Sequence, residues 1–296
     1  AFTGIKVFHD FPISEIRDYI SWLFYFIVWQ LRGKFPEILN DPSAGEEARK
    51  LYDDANRMLD MISDRHLIQA NAVAAVFPAN STGDDIEVYS NEKRNKVIAR
   101  FVNLRNQELK KEGEYNLCLS DFVAPKDSGI RDYIGAFAVT AGLGVRRLVD
   151  EYTEKQDDYR VIMVKALADR LAEALTELIH LKVRKEIWGY DTGEQLTLDE
   201  LLREKYKGIR PAHGYPACPD HSEKQTLFRL LDAEANTGIK LTESFSMDPP
   251  ASVSGLIFAN PASRYFYVGN IGKDQAKDYA ARKGFSTDDV ERLLAS

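Results

Sequence analysis

One segment, residues 210–221, limits what this chain can fold into more than any other. It holds three prolines and Gly214 within twelve residues, so it can form neither a helix nor a central strand. We therefore expect a stiff, irregular loop whose backbone polar groups find partners outside regular structure. Arg210 begins the segment and Tyr215 follows its glycine. Such a loop is suited to holding a small polar molecule, although a plain surface connector is the commoner role of a loop.

The composition excludes several classes of protein. Of 296 residues, 44% are hydrophobic and 29% are charged, which allows a real core in one large domain or two ordinary ones. The net charge of -7 and the lack of a basic stripe argue against a nucleic-acid partner. The cysteines, Cys118 and Cys218, lie far apart. They indicate no disulfide framework and fit a reducing compartment such as the cytoplasm.

No segment predicts insertion into a membrane. The apolar run at residues 22–29 is eight residues long, too short to span a bilayer, and we interpret it as a buried aromatic cluster. The N-terminus lacks the basic-then-apolar pattern of a signal peptide. The chain begins with Ala1 rather than Met, which suggests a piece of a longer polypeptide.

Hydrophobic spacing predicts three helices. The first runs from Ser14 toward Leu31 and ends at Gly33. The second covers residues 43–64 and starts with a capping box of Ser43 and Glu46. The longest covers residues 159–188, where leucines at helical spacing form an apolar stripe.

Strand patterns occupy the middle and the end of the chain. Residues 73–77 and 86–89 flank a turn at 78–85, and residues 134–140 form a compact buried strand. Near the C-terminus, three strands at 241–247, 253–258 and 265–269 have short connections that favour an antiparallel meander. Two small helices finish the chain, and Ser286 and Asp289 resemble a capping box at the second. Strands and helices do not alternate, so we predict one α+β domain with helices around an antiparallel sheet.

Two patterns suggest sites that we consider weak. Cys218 and His221 have C-x-x-H spacing with His213 nearby, but a zinc site needs at least three protein ligands, and the other histidines have no matching spacing. We therefore expect no metal here. Gly142 and Gly144 lie between a strand and a helix, as in a Rossmann-type methyltransferase or dehydrogenase, yet no regular βαβ series follows.

A row of charges follows the longest helix. Lys165, Asp169, Glu173 and Glu177 are spaced by four residues and share one side. Such a row is usually a solvated face. An acidic pair one turn apart could also lie opposite a cation such as a sulfonium, which carboxylates and aromatic faces stabilise.

Several segments, in chain order, carry a resemblance to a known family. The strongest is GIRPAHGYPACPDHSEK at 208–224, and the others are DDI at 84–86, DFVAP at 121–125, DDY at 157–159, IMVKALADRLAEA at 162–174, LTES at 241–244 and SVSG at 252–255. The first resembles the R-x-x-x-G-Y signature of cobalamin-dependent methionine synthase. Together they resemble the C-terminal reactivation domain of that enzyme, which binds S-adenosylmethionine.

The resemblance implies a C-shaped α+β domain with a twisted antiparallel sheet over residues 1–296. It also implies roles for the proline-rich loop. Arg210 would grip the carboxylate of S-adenosylmethionine, as its fork geometry favours. Ala212 and Gly214 would offer backbone groups at close range, and Tyr215 would lie near the methyl-sulfonium end.

Other implied roles belong to residues outside the loop. Tyr265, with Phe266 beside it, would contact the ligand from the third strand of the meander. Glu173 and Glu204 would supply negative charge around it. Asp169 would contact the cobalamin module when the two modules dock.

The family also implies what this module does not hold. Cobalamin, zinc and the folate barrel would belong to other modules of the same polypeptide, and a flavodoxin-like protein would donate the electron that accompanies methyl transfer. The chain alone would bind S-adenosylmethionine without turnover. A self-contained methyltransferase and a non-catalytic interaction domain remain the alternatives.

Two positions depart from the family pattern. Ser21 in Ile20-Ser21-Trp22 replaces an aspartate that often contacts the ligand, a loss that would weaken binding by roughly 1–2 kcal/mol. His213 replaces a common proline, which makes the loop less stiff and adds a titratable group near the site.

Overall fold

An antiparallel sheet lies at the centre of the protein. The computed structural model describes residues 3–294, and its strands are β1 Gly4–Phe8, β2 Gln69–Thr82, β3 Asp85–Tyr89, β4 Val97–Val102, β5 Asp132–Leu143, β6 Lys240–Leu241, β7 Met247–Asp248 and β8 Ser252–Ile257. The main sheet has the order β4-β3-β2-β5-β8, and β1 also pairs with β2. β6 and β7 form a separate two-stranded ribbon.

Helices cover both faces of the sheet. They are α1 Ile13–Ile16, α2 Trp22–Val28, α3 Gly45–Asp64, α4 Val145–Glu154, α5 Asp158–Lys182, α6 Leu198–Leu202, α7 Glu223–Leu231, α8 Ala233–Thr237, α9 Lys273–Lys283 and α10 Thr287–Leu294. The predicted α+β class with a single domain and an antiparallel sheet is confirmed.

Alternation along β2 explains why the sheet is buried on both sides. Ala72 and Ala74 belong to the core shared with α3 and α5, whereas Val73 and Ala75 belong to the core shared with α7 and the proline-rich loop. Successive side chains of a strand point to opposite faces, so a run of small apolar residues lets both layers approach closely. The proline-rich loop therefore lies across the sheet from α3.

β2 is longer than the spacing predicted, because it continues through Pro78. Pro78 is paired with Tyr133 of β5. On the other side of β2, β1 pairs only up to Val76 and β3 pairs only from Ala79. The missing N–H of the proline therefore falls in the gap between two partner strands, and the turn shrinks to Gly83 and Asp84.

The predicted helix at residues 14–31 is wrong as one element. The chain forms α1, a 3-10 turn at Arg17–Tyr19 and then α2, because Ile20 is extended at φ -66 and ψ 125 and is buried. The apolar run at residues 22–29 is a buried cluster on one side only. Tyr25 and Phe26 are buried, while Phe24 and Ile27 are about half exposed.

Two other local predictions need correction. α3 is not started by a capping box of Ser43 and Glu46, because the side chain of Asp41 accepts hydrogen bonds from the N–H groups of Ser43 and Ala44. Of the predicted C-terminal meander, only β8 joins the main sheet. Residues 265–269 form no strand, since the N–H of Val268 donates to the carbonyl of Pro216 in the proline-rich loop at 2.9 Å.

Other predictions hold. The long helix is α5, whose N-cap Asp157 accepts from the N–H of Arg160, and a π-turn at Val183–Ile187 extends it. Before α10, the N–H of Asp289 donates to Oγ of Ser286 as in a capping box, and the Ser286 hydroxyl donates to Oδ2 of Asp289. In the described chain, no helix combines the length and the apolar character that crossing a bilayer requires.

Candidate functional site

The proline-rich loop is attached to β8 by backbone hydrogen bonds. Ile209 and Phe258 exchange N–H to carbonyl bonds of 3.1 and 2.9 Å, and the N–H of Leu256 donates to the carbonyl of Pro211 at 3.0 Å. Gly255 makes this approach possible, because a Cβ at that position would lie 2.5 Å from the carbonyl oxygen of Pro211. The start of the loop is thus fixed to the central sheet.

Gly214 is required by packing within the loop. It has φ +96, and an added Cβ would lie 2.2 Å from the imidazole of His221. Its N–H donates to the carbonyl of Cys218 at 2.8 Å, which closes a tight turn. Gly214 does not line the cavity described next, so its predicted backbone contact with a ligand stays a prediction.

A cavity of about 600 Å³ lies beneath the loop. Seven of the eight predicted ligand-binding residues line it: Glu173, Glu204, Arg210, Ala212, Tyr215, Tyr265 and Phe266. It falls in the range of about 300 to 1,000 Å³ that is common for small-molecule sites. The remaining lining residues are Phe137, Thr176, Pro211, Pro216, Ala217, Val253 and Tyr267.

The guanidinium of Arg210 is held from behind the cavity wall. Its Nη1 donates to Glu177 Oε2 at 3.0 Å and to the hydroxyl of Tyr206 at 2.8 Å, and its Nη2 donates to Glu177 Oε1. The side chains are 11% and 8% exposed, so this is a buried ion pair. The sequence placed Glu177 in the charged row on α5 without giving it a role.

His180 is the third group behind the guanidinium. Its Nδ1 lies 3.3 Å from Nη1 of Arg210, and burial, with the charges of Arg210 and Arg184, holds the pKa of His180 well below its ordinary value. The ring is therefore neutral. Because arginine can only donate, Nδ1 is the acceptor and Nε2 carries the proton, which it donates to the hydroxyl of Tyr190 at 3.2 Å.

Aromatic side chains form the rim of the cavity. Tyr215 and Tyr267 are 66% and 61% exposed, and Tyr265 is 44% exposed. The hydroxyl of Tyr265 accepts from the backbone N–H of Arg210 at 3.1 Å, which joins the rim to the loop. No role for Tyr267 was predicted from the sequence, although Tyr265 and Tyr267 lie on either side of Phe266 in the chain.

Carboxylates supply the negative charge of the cavity. Burial raises the pKa of Glu173, and the nearby charges of Arg170 and Arg210 partly offset that rise. Glu204 follows α6 in a left-handed conformation at φ 55 and also lines the cavity. Asp169 is exposed one turn before Glu173 and lies outside the lining, so its contact with another module stays a prediction.

Ser21 is the N-cap residue that precedes α2 and is not among the residues that line the cavity. The weaker ligand binding that we expect from Ser21 in place of an aspartate therefore stays a prediction.

The conceivable zinc ligands have other partners. The thiol of Cys218 donates to the carbonyl of Ala212 at 3.0 Å, the ring of His213 stacks on Phe101, and Nδ1 of His221 lies 2.8 Å from Nζ of Lys224. Within residues 3–294, no group of three or more histidine, cysteine or acidic residues could hold a metal ion.

The glycine turn after β5 is a structural turn. Gly144 has φ +94 and precedes α4, and a Cβ there would lie 2.3 Å from the carbonyl oxygen of Leu67. β5 pairs antiparallel with both of its neighbours, whereas a Rossmann-type turn follows a strand of a parallel sheet. The geometry gives no support to a methyltransferase site at Gly142 and Gly144.

His213 makes the protein acid-sensitive. Burial, together with the charges of Lys224, Lys283 and His221, lowers its pKa to about 3, and Asp220 partly opposes that shift. The unfolded chain then takes up the proton first, so stability is lost as the pH falls from about 6.5 toward 3. Between pH 7 and pH 4 we expect the free energy of unfolding of His213→Leu to fall by about 2 to 3 kcal/mol less than that of the unchanged protein. Urea unfolding at several pH values tests this, and parallel curves for the two proteins would contradict it.

Two comparisons with known proteins match this chain to the same kind of domain. A family model described as the activation domain of vitamin B12 dependent methionine synthase matches residues 12–284. A crystal structure of the MetH reactivation domain bound to AdoHcy is similar over the whole chain, with a TM-score of 0.97 and 52% sequence identity. The match covers 99% of this chain and 90% of that one, so the similarity includes the sheet, the helices and the loop together.

Proposed function

This chain belongs to the vitamin B12-dependent methionine synthase activation domain family, and from that premise we propose that it binds S-adenosylmethionine in the cavity beneath the proline-rich loop for reactivation of the enzyme. The single observation that supports this site best is the convergence of Arg210, two carboxylates and an aromatic rim on one cavity. The related reactivation domain was crystallised with AdoHcy, which differs from S-adenosylmethionine by the transferable methyl group.

The charges of the cavity match those of the ligand. S-adenosylmethionine carries a carboxylate, an ammonium and a sulfonium. In our proposal Arg210 binds the carboxylate, and Glu173 and Glu204 neutralise the two cationic groups. The exposed ring of Tyr215 lies at the methyl-sulfonium end, because a sulfonium is stabilised by aromatic faces. Tyr265 and Phe266 close the other side, and Ala212 offers its backbone groups.

The work of this chain is positional. Methionine synthase is a methyltransferase, and we propose that this domain by itself binds the ligand without turnover. Cobalamin, bound by another module of the same polypeptide, would supply the nucleophile that accepts the methyl group. Within this chain, the loop and the rim orient the sulfonium and exclude water. No acid or base is needed, since the thioether that leaves is already a good leaving group.

The wider setting is part of the same proposal. The whole chain would act as one module, with Asp169 exposed near the cavity to contact the cobalamin module. A flavodoxin-like protein would donate the electron, zinc would be bound elsewhere in the enzyme, and the location would be cytoplasmic.

Calorimetric titration with S-adenosylmethionine tests the proposed function. We expect saturable heat with one site per chain and a dissociation constant below about 1 mM, and competition by S-adenosylhomocysteine. Titration with adenosine alone serves as the control, because it lacks every charged group that the cavity is proposed to bind. An absence of saturable heat at millimolar ligand would instead favour a non-catalytic interaction domain.

A further inference from the structure

The hydrogen bonds of Arg210 use only part of its guanidinium. A guanidinium carries five N–H donors in a planar fork. One hydrogen on each of Nη1 and Nη2 meets the two oxygens of Glu177, and the second hydrogen on Nη1 is shared by Tyr206 and His180. The donors that remain are the N–H of Nε and the second hydrogen on Nη2. These two lie side by side on one edge of the plane.

The remaining edge is accessible. Among the described residues, none accepts a hydrogen bond from Nε of Arg210, yet Nε is not one of the fully buried polar atoms left without a partner. Arg210 itself lines the cavity, while Glu177 lies behind it and is absent from the lining. An edge made of Nε and Nη2 matches the two oxygens of a carboxylate.

The groups behind the guanidinium are themselves fixed. Glu177 lies on α5, the long helix that packs against the sheet. His180 is one turn further along, and its Nε2 donates to the hydroxyl of Tyr190, which in turn donates to the carbonyl of Lys207 at 3.3 Å. The acceptor at Nδ1 is thereby held toward Arg210. Rigid acceptors on two sides leave the guanidinium little freedom to rotate.

We propose that Glu177 and His180 are positioning residues that hold Arg210 with its Nε and Nη2 edge toward the cavity, and so make the site select adenosyl ligands that carry an amino-acid carboxylate. This inference rests on the proposed function, since it concerns the same ligand in the same cavity. It gives a function in ligand binding to the buried ion pair of Arg210 and Glu177, which would otherwise only use up hydrogen-bond donors of the arginine. The alternative is that Glu177 competes with the ligand for Arg210, in which case replacing Glu177 would tighten the binding of S-adenosylmethionine.

Measuring how Glu177→Gln changes the affinity for each of two ligands separates these roles. Decarboxylated S-adenosylmethionine keeps the adenosyl, sulfonium and ammonium groups and lacks only the carboxylate. We expect Glu177→Gln to weaken binding of S-adenosylmethionine about ten-fold, the worth of a charge-assisted hydrogen bond. Binding of the decarboxylated analogue should stay within about two-fold of its original value. Calorimetry on the folded variants, with unfolding curves for each, gives both numbers.

Glu87→Gln is the matched control. Glu87 is a buried carboxylate on β3 that pairs with Arg100 and Lys126, away from the cavity lining, so its loss should change neither affinity. If Glu177→Gln does not fold, His180→Leu tests the same idea, with an expected loss of about three-fold for S-adenosylmethionine alone.

Each other result overturns a definite claim. Equal weakening of both ligands would mean a merely structural role for Glu177, and unchanged or tighter binding of S-adenosylmethionine would mean no positioning. Equal affinity of the unchanged protein for the two ligands would show that Arg210 does not read the carboxylate. If the unchanged protein binds neither ligand, the proposed function itself fails.

Discussion

Arg210→Ala is expected to abolish measurable binding of S-adenosylmethionine and to lower the free energy of unfolding by about 3–5 kcal/mol. The stability loss arises because Glu177, only 8% exposed, would keep its charge without a counterion. The binding loss arises because the ligand carboxylate would lose its two charge-assisted hydrogen bonds. Urea unfolding and calorimetric titration measure the two effects separately.

A double variant separates folding from recognition. Arg210→Met combined with Glu177→Gln removes both charges, so most of the lost stability should return while binding remains undetectable. Arg229→Ala, an exposed position on α7, should stay within about 0.5 kcal/mol of the original stability and bind normally. Near-normal affinity in the double variant would contradict recognition of the ligand through Arg210.

The proline-rich loop could be predicted because its constraints are local. Three prolines forbid regular structure whatever surrounds them, and the structure indeed leaves residues 210–221 without a helix or a sheet strand. The long helix α5 could be predicted for a similar reason, since its apolar stripe repeats over many turns. The roles given to the loop residues came from the resemblance and not from this local pattern.

Elsewhere, tertiary contacts overrode local pattern. Residues 265–269 have the aromatic and β-branched composition of a strand, yet Val268 donates to Pro216 instead of joining the sheet. The predicted first helix broke at Ile20 because burial of that side chain placed the backbone in an extended conformation. The local sequence shows neither the hydrogen bond of Val268 to Pro216 nor the burial of Ile20, so periodicity alone could not locate these changes.

The same limit applies to the site. Seven of the eight predicted ligand-binding residues line one cavity, but the sequence could not show that Glu177 occupies one edge of the guanidinium 33 residues away in the chain. The only signal was the position of Glu177 in the charged row on α5. Such a row usually forms a solvated helix face, and only the fold shows that Glu177, its last member, points to Arg210.

The C-terminal helices stabilise the far end of the loop through Lys283. Its Nζ donates to Asp220 Oδ2 at 2.7 Å, to Ser222 Oγ at 2.8 Å and to Glu223 Oε1 at 2.6 Å. The lysine side chain is 5% exposed. One buried cation in α9 therefore ties together the residues that end the loop and begin α7.

Lys283→Met should destabilise the protein by about 3–5 kcal/mol, because two buried carboxylates lose their shared counterion. Burial alone would raise the pKa of Asp220, but Lys283, with hydrogen bonds from Ser222 and Tyr279, holds that pKa below its ordinary value. Burial already raises the pKa of Glu223, and Lys283 only partly offsets the rise.

The pH dependence of the variant follows from those directions. Without Lys283 both folded pKa values rise, so the folded state binds protons that the unfolded chain releases, and acidification should stabilise the variant relative to the unchanged protein. We expect the difference in unfolding free energy between the two proteins to be smaller at pH 5 than at pH 8. Lys277→Met, an exposed lysine on the same helix, should change stability by less than about 0.5 kcal/mol at either pH. Equal losses at positions 277 and 283, or a loss at 283 that does not depend on pH, would show that the buried lysine does not neutralise the carboxylates at the end of the loop.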